Sequence, residues 1–212
     1  MSTTNFPVVT ARMALLNVDM QNVFVENSPV AAPSGREVLK QINELIEVSR
    51  KAGVQIVHIS HVLRDDHSNV GIMGEVLPPI SLEMIKKSAP SAALHVDLNT
   101  ADGDIFLDKP RFGAFQSTDL EMVLRSRGID TLIITGIATN VCCETTAREA
   151  NVRDFRVFFL SDATATGPIG DISAEEIQKV TCATLGHAFA QVLSSAEMIA
   201  KLEEADRSAN AA

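Results

Sequence analysis

Thr131-Leu-Ile-Ile-Thr135 is almost wholly apolar, and it runs straight into Gly136-Ile-Ala-Thr-Asn-Val-Cys142. A strand without polar alternation has both faces buried, which is the condition of a strand at the centre of a parallel sheet. The glycine, Thr139 and Asn140 then mark a tight turn into a helix expected from about 141 to 150. The same strand-then-helix unit recurs on either side of this stretch. Towards the N-terminus, a helix over 118–127 stops at Gly128, and Asp104-Ile-Phe-Leu-Asp108 reads as the strand before it. Further back, a helix over 36–52 stops at Gly53, between the strands Met13-Ala-Leu-Leu-Asn-Val-Asp19 and Val54-Gln-Ile-Val-His-Ile-Ser60.

Towards the C-terminus, 155–160 is the next strand, and 174–188 is a helix with Ser173 as N-cap and Glu176 completing a capping box. Residues 191–193 make a short sixth strand. Alternating βα units of this kind predict a single-domain three-layer α/β/α fold with a mainly parallel, doubly wound sheet of about six strands. We place that domain at 1–205 and a flexible tail at 206–212. Residues 65–80, with Asp65-Asp66, Gly71, Gly74 and Pro78-Pro79, read as a long loop of the kind that covers a site.

Composition sets the class of partner. The 212 residues are 46% hydrophobic and 21% charged, values of a packed globular chain. A formal net charge of -9 speaks against nucleic acid or an anionic membrane, since either needs a concentrated basic face. No apolar run approaches the roughly 20 residues that span a bilayer, and the first residues lack a basic, then apolar, leader pattern. A cytoplasmic location is expected, with a small molecule as the partner. Three cysteines, two of them adjacent at 142 and 143, make no disulfide framework.

In an open parallel sheet, ligands lie beyond the carboxyl ends of the strands. Asp19 ends the first strand, Lys109 follows the third, and Cys142 follows the fourth by one turn, so an acid, a base and a thiol share one edge. Each alone has a plainer reading: Asp19 as a loop or capping residue, Lys109 as a solvated cation, Cys142 as a small buried hydrophobe. Their convergence favours chemistry. With Thr139 or Asn140 as N-cap, Cys142 enters the first turn of a helix, where the dipole and free amides favour a thiolate. Lys109 should lower the thiol pKa further, and Asp19 could take the thiol proton and pass it to a leaving amine. Cys143, Ala147 and Ala150 fall at i, i+4 and i+7, a small-residue stripe for packing, with Cys142 turned about 100° away. Cys182 reads as a core residue.

Val18-Asp-Met-Gln-Asn-Val-Phe24, Asp108-Lys-Pro-Arg-Phe-Gly-Ala-Phe115 and Gly136-Ile-Ala-Thr-Asn-Val-Cys-Cys-Glu-Thr-Thr-Ala-Arg-Glu-Ala150 together resemble the isochorismatase-like cysteine hydrolases. That family includes nicotinamidases and the ureidoacrylate, biuret and N-carbamoylsarcosine amidohydrolases. The resemblance covers nearly the whole chain, and the ureidoacrylate and biuret members look most similar. It implies Asp19 as general base, Lys109 as the cation beside it and Cys142 as nucleophile. It also implies a cis peptide between Ile137 and Ala138, with the amides of Ala138 and Cys142 forming an oxyanion hole. Around them, Phe24, Phe112 and Phe115 are candidate apolar walls, Gln21 and Asn140 candidate hydrogen-bond partners, and Arg64 or Arg111 a candidate site for an anionic group. Relatives are commonly dimers or tetramers, so a homo-oligomer is expected.

Two departures stand out. Nicotinamidases carry Asp-x-His and a second histidine for a metal, whereas this chain has Ile59-Ser60-His61 with His67 further on. No metal and no cofactor is therefore expected, because two ligands rarely hold zinc; His61 and His67 are loop residues, or one hydrogen-bonds the substrate. The other departure is Cys143, where relatives usually have an aliphatic residue. The leading expectation is a thiol-dependent amidohydrolase that works through an acyl-enzyme. The alternatives are a vinyl-ether hydrolase in which Asp19 acts as acid, and a non-catalytic binding protein on the same fold.

Overall fold

The computed structural model describes residues 4–210. Six strands, β1 (Met13–Val18), β2 (Gln55–His61), β3 (Ile105–Lys109), β4 (Thr131–Ile137), β5 (Arg156–Ala165) and β6 (Gln191–Leu193), form one sheet in the order β3-β2-β1-β4-β5-β6. Every neighbouring pair is parallel. Strand order reverses between β1 and β4, so a crevice opens at the carboxyl ends of those two strands. Both are buried along their whole length, as the apolar run at 131–135 requires.

Helices α1 (Asn22–Val25), α2 (Gly35–Lys51), α3 (Met73–Val76), α4 (Pro79–Met84), α5 (Leu120–Ser126), α6 (Glu144–Asn151), α7 (Ala174–Ala188) and α8 (Ser195–Asn210) surround the sheet. On one face, Leu16, Val57, Leu132, Ile134 and Phe159 pack against Leu120 and Leu124 of α5, Ala147 and Ala150 of α6, and Leu185 of α7. On the other, Leu15, Ile56, Ile133 and Phe158 pack against Leu39, Ile42 and Ile46 of α2 and Met198 and Leu202 of α8. The period-two alternation of strand residues thus divides the core into two layers around the sheet. A smaller cluster of Val23, Leu63, Met73, Leu82 and Ile85 lies under the segment expected as a loop at 65–80, and α3 and α4 fall within and just beyond that segment.

Several expectations are corrected. Helix α8 continues to Asn210, where a flexible tail was expected from 206, and residues 211–212 lie outside the described residues. Strand β5 runs on past Leu160 to Ala165 by pairing Thr164 and Ala165 with Gly136 and Ile137 beyond a register shift. Helix α7 has the expected limits, and Ser173 and Glu176 form the full capping box. Gly136 is required where it stands: its φ is +122°, and a Cβ there would lie 1.9 Å from the carbonyl oxygen of Val18. The strands that lead into Asp19 and towards Cys142, β1 and β4, therefore approach more closely than any side chain at 136 would allow.

Candidate active site

Asp19 is the first residue after β1 and takes a left-handed backbone, φ +56°, which aspartate tolerates better than most residues. Its amide donates to the carbonyl of Ile59 at 2.8 Å, which ties this turn to β2. Lys109 ends β3, and its Nζ donates to Asp19 Oδ2 at 2.8 Å and to the carbonyl of Arg111 at 3.1 Å. Both side chains are completely closed from solvent. A lysine is rarely buried so fully without a counter-charge, and here the counter-charge is Asp19.

Cys142 lies in a single π-helical turn, Thr139–Cys143, that leads from β4 into α6. The Ile137–Ala138 peptide is cis. Within the turn, the amides of Val141 and Cys143 both donate to the carbonyl of Ala138, at 3.2 and 3.1 Å. The expected capping by Thr139 or Asn140 is not made: Ala138 occupies the N-cap position, the Thr139 hydroxyl donates to Gln178, and Asn140 Oδ1 accepts from Thr166 at 2.7 Å. Cys143 faces the core, with its thiol 3.8 Å from the carbonyl of Thr135, alongside the buried Ala147 and Ala150. Cys182 is only partly buried, not the core residue expected, and burial raises its thiol to about 11.

The electrostatics differ from the simple helix-terminus picture. Burial, and then the Asp19 carboxylate, push the Cys142 thiol up to about 12, although Lys109 pulls it down. A helix N-terminus and one cation do not outweigh desolvation beside an anion. Burial also raises the Asp19 carboxyl above its ordinary 3.8, against the pull of Lys109 and a hydrogen bond with Cys142. Burial alone would depress Lys109, but the Asp19 carboxylate and the Cys142 sulfur bring it above its ordinary 10.5. The site therefore rests as an ion pair beside a protonated thiol.

A third strand end contributes to the same space. The expected β2 stops at Ser60, but the strand extends one residue further, and His61 pairs in register with Lys109. A ring nitrogen of His61, a carboxylate oxygen of Asp19 and the Cys142 sulfur lie within 4.8 Å of one another. The signal was available in the strand order, since β2 runs between β1 and β3 and its last residue must lie between Asp19 and Lys109.

The remaining candidates divide. Phe112 meets the His61 ring edge-to-face at 5.8 Å, and Phe24, half-buried, packs in the clusters on either side of α1. Phe115 is instead core: its ring packs on Phe155 at 5.7 Å, just before the amino end of β5, with Arg153 over it. Gln21 is not free for a ligand, because its amide bonds the His61 amide and carbonyl and the Ala92 carbonyl, fixing the loops around the site. Arg64 is exposed and reaches Ser68. Arg111 donates to the carbonyls of Asn69 and Pro110, so its guanidinium clamps the 65–72 segment.

The residues do not fit the metal centre of the nicotinamidase pattern. Ile59 is a fully buried core residue, and His67 lies on the loop with Nε2 3.2 Å from Glu83. Among the described residues, the one group able to offer three metal ligands is Asp19, His61 and Cys142. A metal there would consume the base and the nucleophile themselves.

Comparison with known proteins identifies the family. Residues 13–197 match the isochorismatase domain. The chain is 32% identical over 169 residues to the ureidoacrylate amidohydrolase RutB of Methylorubrum extorquens, covering 71% of this chain and 68% of that one. It is 33% identical over 185 residues to nicotinamidase 3 of Arabidopsis thaliana, covering 85% and 83%. Among solved structures, a cysteine hydrolase from Pseudomonas syringae pv. phaseolicola superposes with a TM-score of 0.88 at 32% identity, covering 95% and 97%.

Proposed function

The chain belongs to the isochorismatase family, and from that membership we propose that it is a cysteine hydrolase that cleaves the C–N bond of a small amide, urea-type or carbamoyl substrate. One observation carries the reading: a buried Asp19–Lys109 ion pair with the Cys142 thiol beside it, each on a different strand end.

The chemistry follows from the resting charges. With burial and the Asp19 carboxylate pushing the thiol up to about 12, a standing thiolate is disfavoured at neutral pH. Asp19 therefore removes the proton as the sulfur attacks the carbonyl carbon, and its raised pKa makes it a stronger base than an exposed carboxylate. The carbonyl oxygen gathers charge towards the amides of Ala138 and Cys142. Asp19 then returns the proton to the leaving nitrogen, the C–N bond breaks, and a thioester remains on Cys142. Water, deprotonated by Asp19, attacks the thioester, and the carboxylate passes that proton to the departing sulfur. Lys109 holds Asp19 in place and keeps it ionised between steps. Phe112, edge-on to the His61 ring, and Phe24 of α1 are the apolar side chains we assign to a small-molecule substrate.

The test is ammonia release from a panel of small carboxamides, ureas and carbamates, with Cys142→Ala as control. Turnover by the wild type that is lost in the variant supports the reading, and equal turnover by both would overturn it.

A further inference from the structure

His61 has no part in the proton shuttle above, yet it occupies the same buried space. It is 3% exposed. Its Nε2 has no hydrogen-bond partner among the described residues, and neither has Asp19 Oδ1, although both atoms are buried. Buried polar atoms are nearly always paired, because an unpaired one has given up its water with nothing in exchange. Both belong to residues that each bring one polar atom within 4.8 Å of the Cys142 sulfur and of each other, which points to a common partner that arrives with the substrate.

The charges around His61 define what it can do. Burial, then Lys109 and Arg111, hold the imidazole well below its ordinary 6.5, so it stays neutral and does not compete with Lys109 for Asp19. A neutral imidazole has one nitrogen that donates and one that accepts. The edge-to-face packing of Phe112 limits how the ring can turn.

We propose that Nε2 of His61 accepts an N–H from the substrate nitrogen bonded to the carbonyl under attack, and so selects nitrogen leaving groups over oxygen ones. Asp19 delivers its proton to the lone pair of that nitrogen. A second acceptor on one of the nitrogen's own hydrogens turns the lone pair towards Asp19. An ester oxygen has no hydrogen to offer, so Nε2 stays unpaired when an ester binds. A site built for such a hydrogen bond discriminates strongly against the analogue that lacks it. The inference deepens the acyl-enzyme reading and rests on it.

Biuret and methyl allophanate test it, since they share an acyl group and differ in leaving NH2 or OCH3. His61→Ala should lower kcat/KM for biuret at least about tenfold, the loss of roughly one hydrogen bond, and leave methyl allophanate within about twofold. His61→Gln, which keeps an acceptor, should recover part of the amide preference. Retained ester turnover shows that fold and nucleophile survive. Equal loss on both probes, or no loss on biuret, overturns the role of His61. On a Cys142→Ala background, His61→Ala should also weaken biuret binding measured by calorimetry about tenfold, and unchanged binding would overturn it too. Biuret turnover that survives Cys142→Ala would sink the acyl-enzyme reading instead, so the two failures are distinguishable. Wild type inert towards both probes, with no biuret binding, would remove the urea-type assignment and the inference with it.

Discussion

Lys109 Nζ and Asp19 Oδ2 are 2.8 Å apart and wholly shielded from water, so each charge depends on the other. Removing one partner of such a pair leaves an uncompensated buried charge, at a cost of about 3–5 kcal/mol, whereas removing both is often close to neutral. Asp19→Asn and Lys109→Met should each lose stability on that scale, and the double variant should lose less than their sum. Urea unfolding followed by circular dichroism measures this, since the chain has no Trp or Tyr for fluorescence. Additive losses would show that the two charges are not coupled.

The same pair sets the pH dependence. The Asp19 carboxyl is raised above 3.8, so the folded chain binds this proton more tightly than the unfolded chain. Its contribution to stability is therefore complete below pH 3.8 and is lost as pH rises through the raised folded value. Activity runs the other way, because the base must be ionised. In mild acid, kcat/KM should therefore fall through a limb above pH 3.8 while this group's contribution to stability grows. An acid limb at or below 3.8 would contradict a buried base.

Thiol reactivity separates burial from the Asp19 charge. The Cys142 thiol rests near 12, Cys143 lies well above its ordinary 9.0, and Cys182 lies near 11, so none should alkylate quickly at pH 8. Asp19→Asn removes the anion that opposes the thiolate and leaves the Lys109 cation that favours it. Iodoacetamide should then label Cys142 faster than in the wild type while turnover disappears, as peptide mapping by mass spectrometry would show. Unchanged or slower labelling would mean that Asp19 does not hold the proton on the thiol.

Chelation should leave activity intact. Ile59 gives no ligand, and His67 lies against Glu83, so His61 lacks the partners of the nicotinamidase pattern. Activity and zinc content after dialysis against a strong chelator check this, and activity lost and then restored by a divalent ion would overturn it.

The fold was legible where local pattern decides it. The apolar run at 131–135, the glycine stops at 53 and 128 and the Ser173–Glu176 box each reflect forces acting within a few residues, and the strands and α7 appear there. Helix α8 was missed although it carries the same kind of signal: Ser194 and Glu197 exchange hydrogen bonds as a second capping box, and Met198 and Leu202 form a buried i, i+4 pair. The extension of β5 was not readable, because Ser161 and Asp162 break the apolar run and only pairing with β4 carries the strand further. In the site, the order of strand ends brought Asp19, Lys109 and Cys142 together from sequence. The raised thiol was hidden, since desolvation depends on everything packed around the sulfur, whereas a helix N-terminus is written in a few residues. Phe115 failed for a related reason: a motif places its backbone, but the partner of its ring, Phe155, lies forty residues away.

The last prediction separates two hydrolytic chemistries by the residue each cannot lose. In amide cleavage the sulfur forms the new bond and Asp19 shuttles its proton, so Cys142→Ala and Asp19→Asn should each remove nearly all turnover. Because the two act as a unit, the double variant should be little worse than either single one. In vinyl-ether hydrolysis, Asp19 protonates carbon and water completes the reaction, so the sulfur is dispensable and only Asp19→Asn is damaging. Wild type, both single variants and the double variant assayed on a urea-type amide and on isochorismate distinguish these outcomes. The geometry around Cys142, with its sulfur near the Asp19 carboxylate and the His61 ring, leads us to expect amide turnover lost in both single variants. Isochorismate turnover that survives Cys142→Ala but not Asp19→Asn, with no amide turnover in the wild type, would assign the chain to the vinyl-ether chemistry.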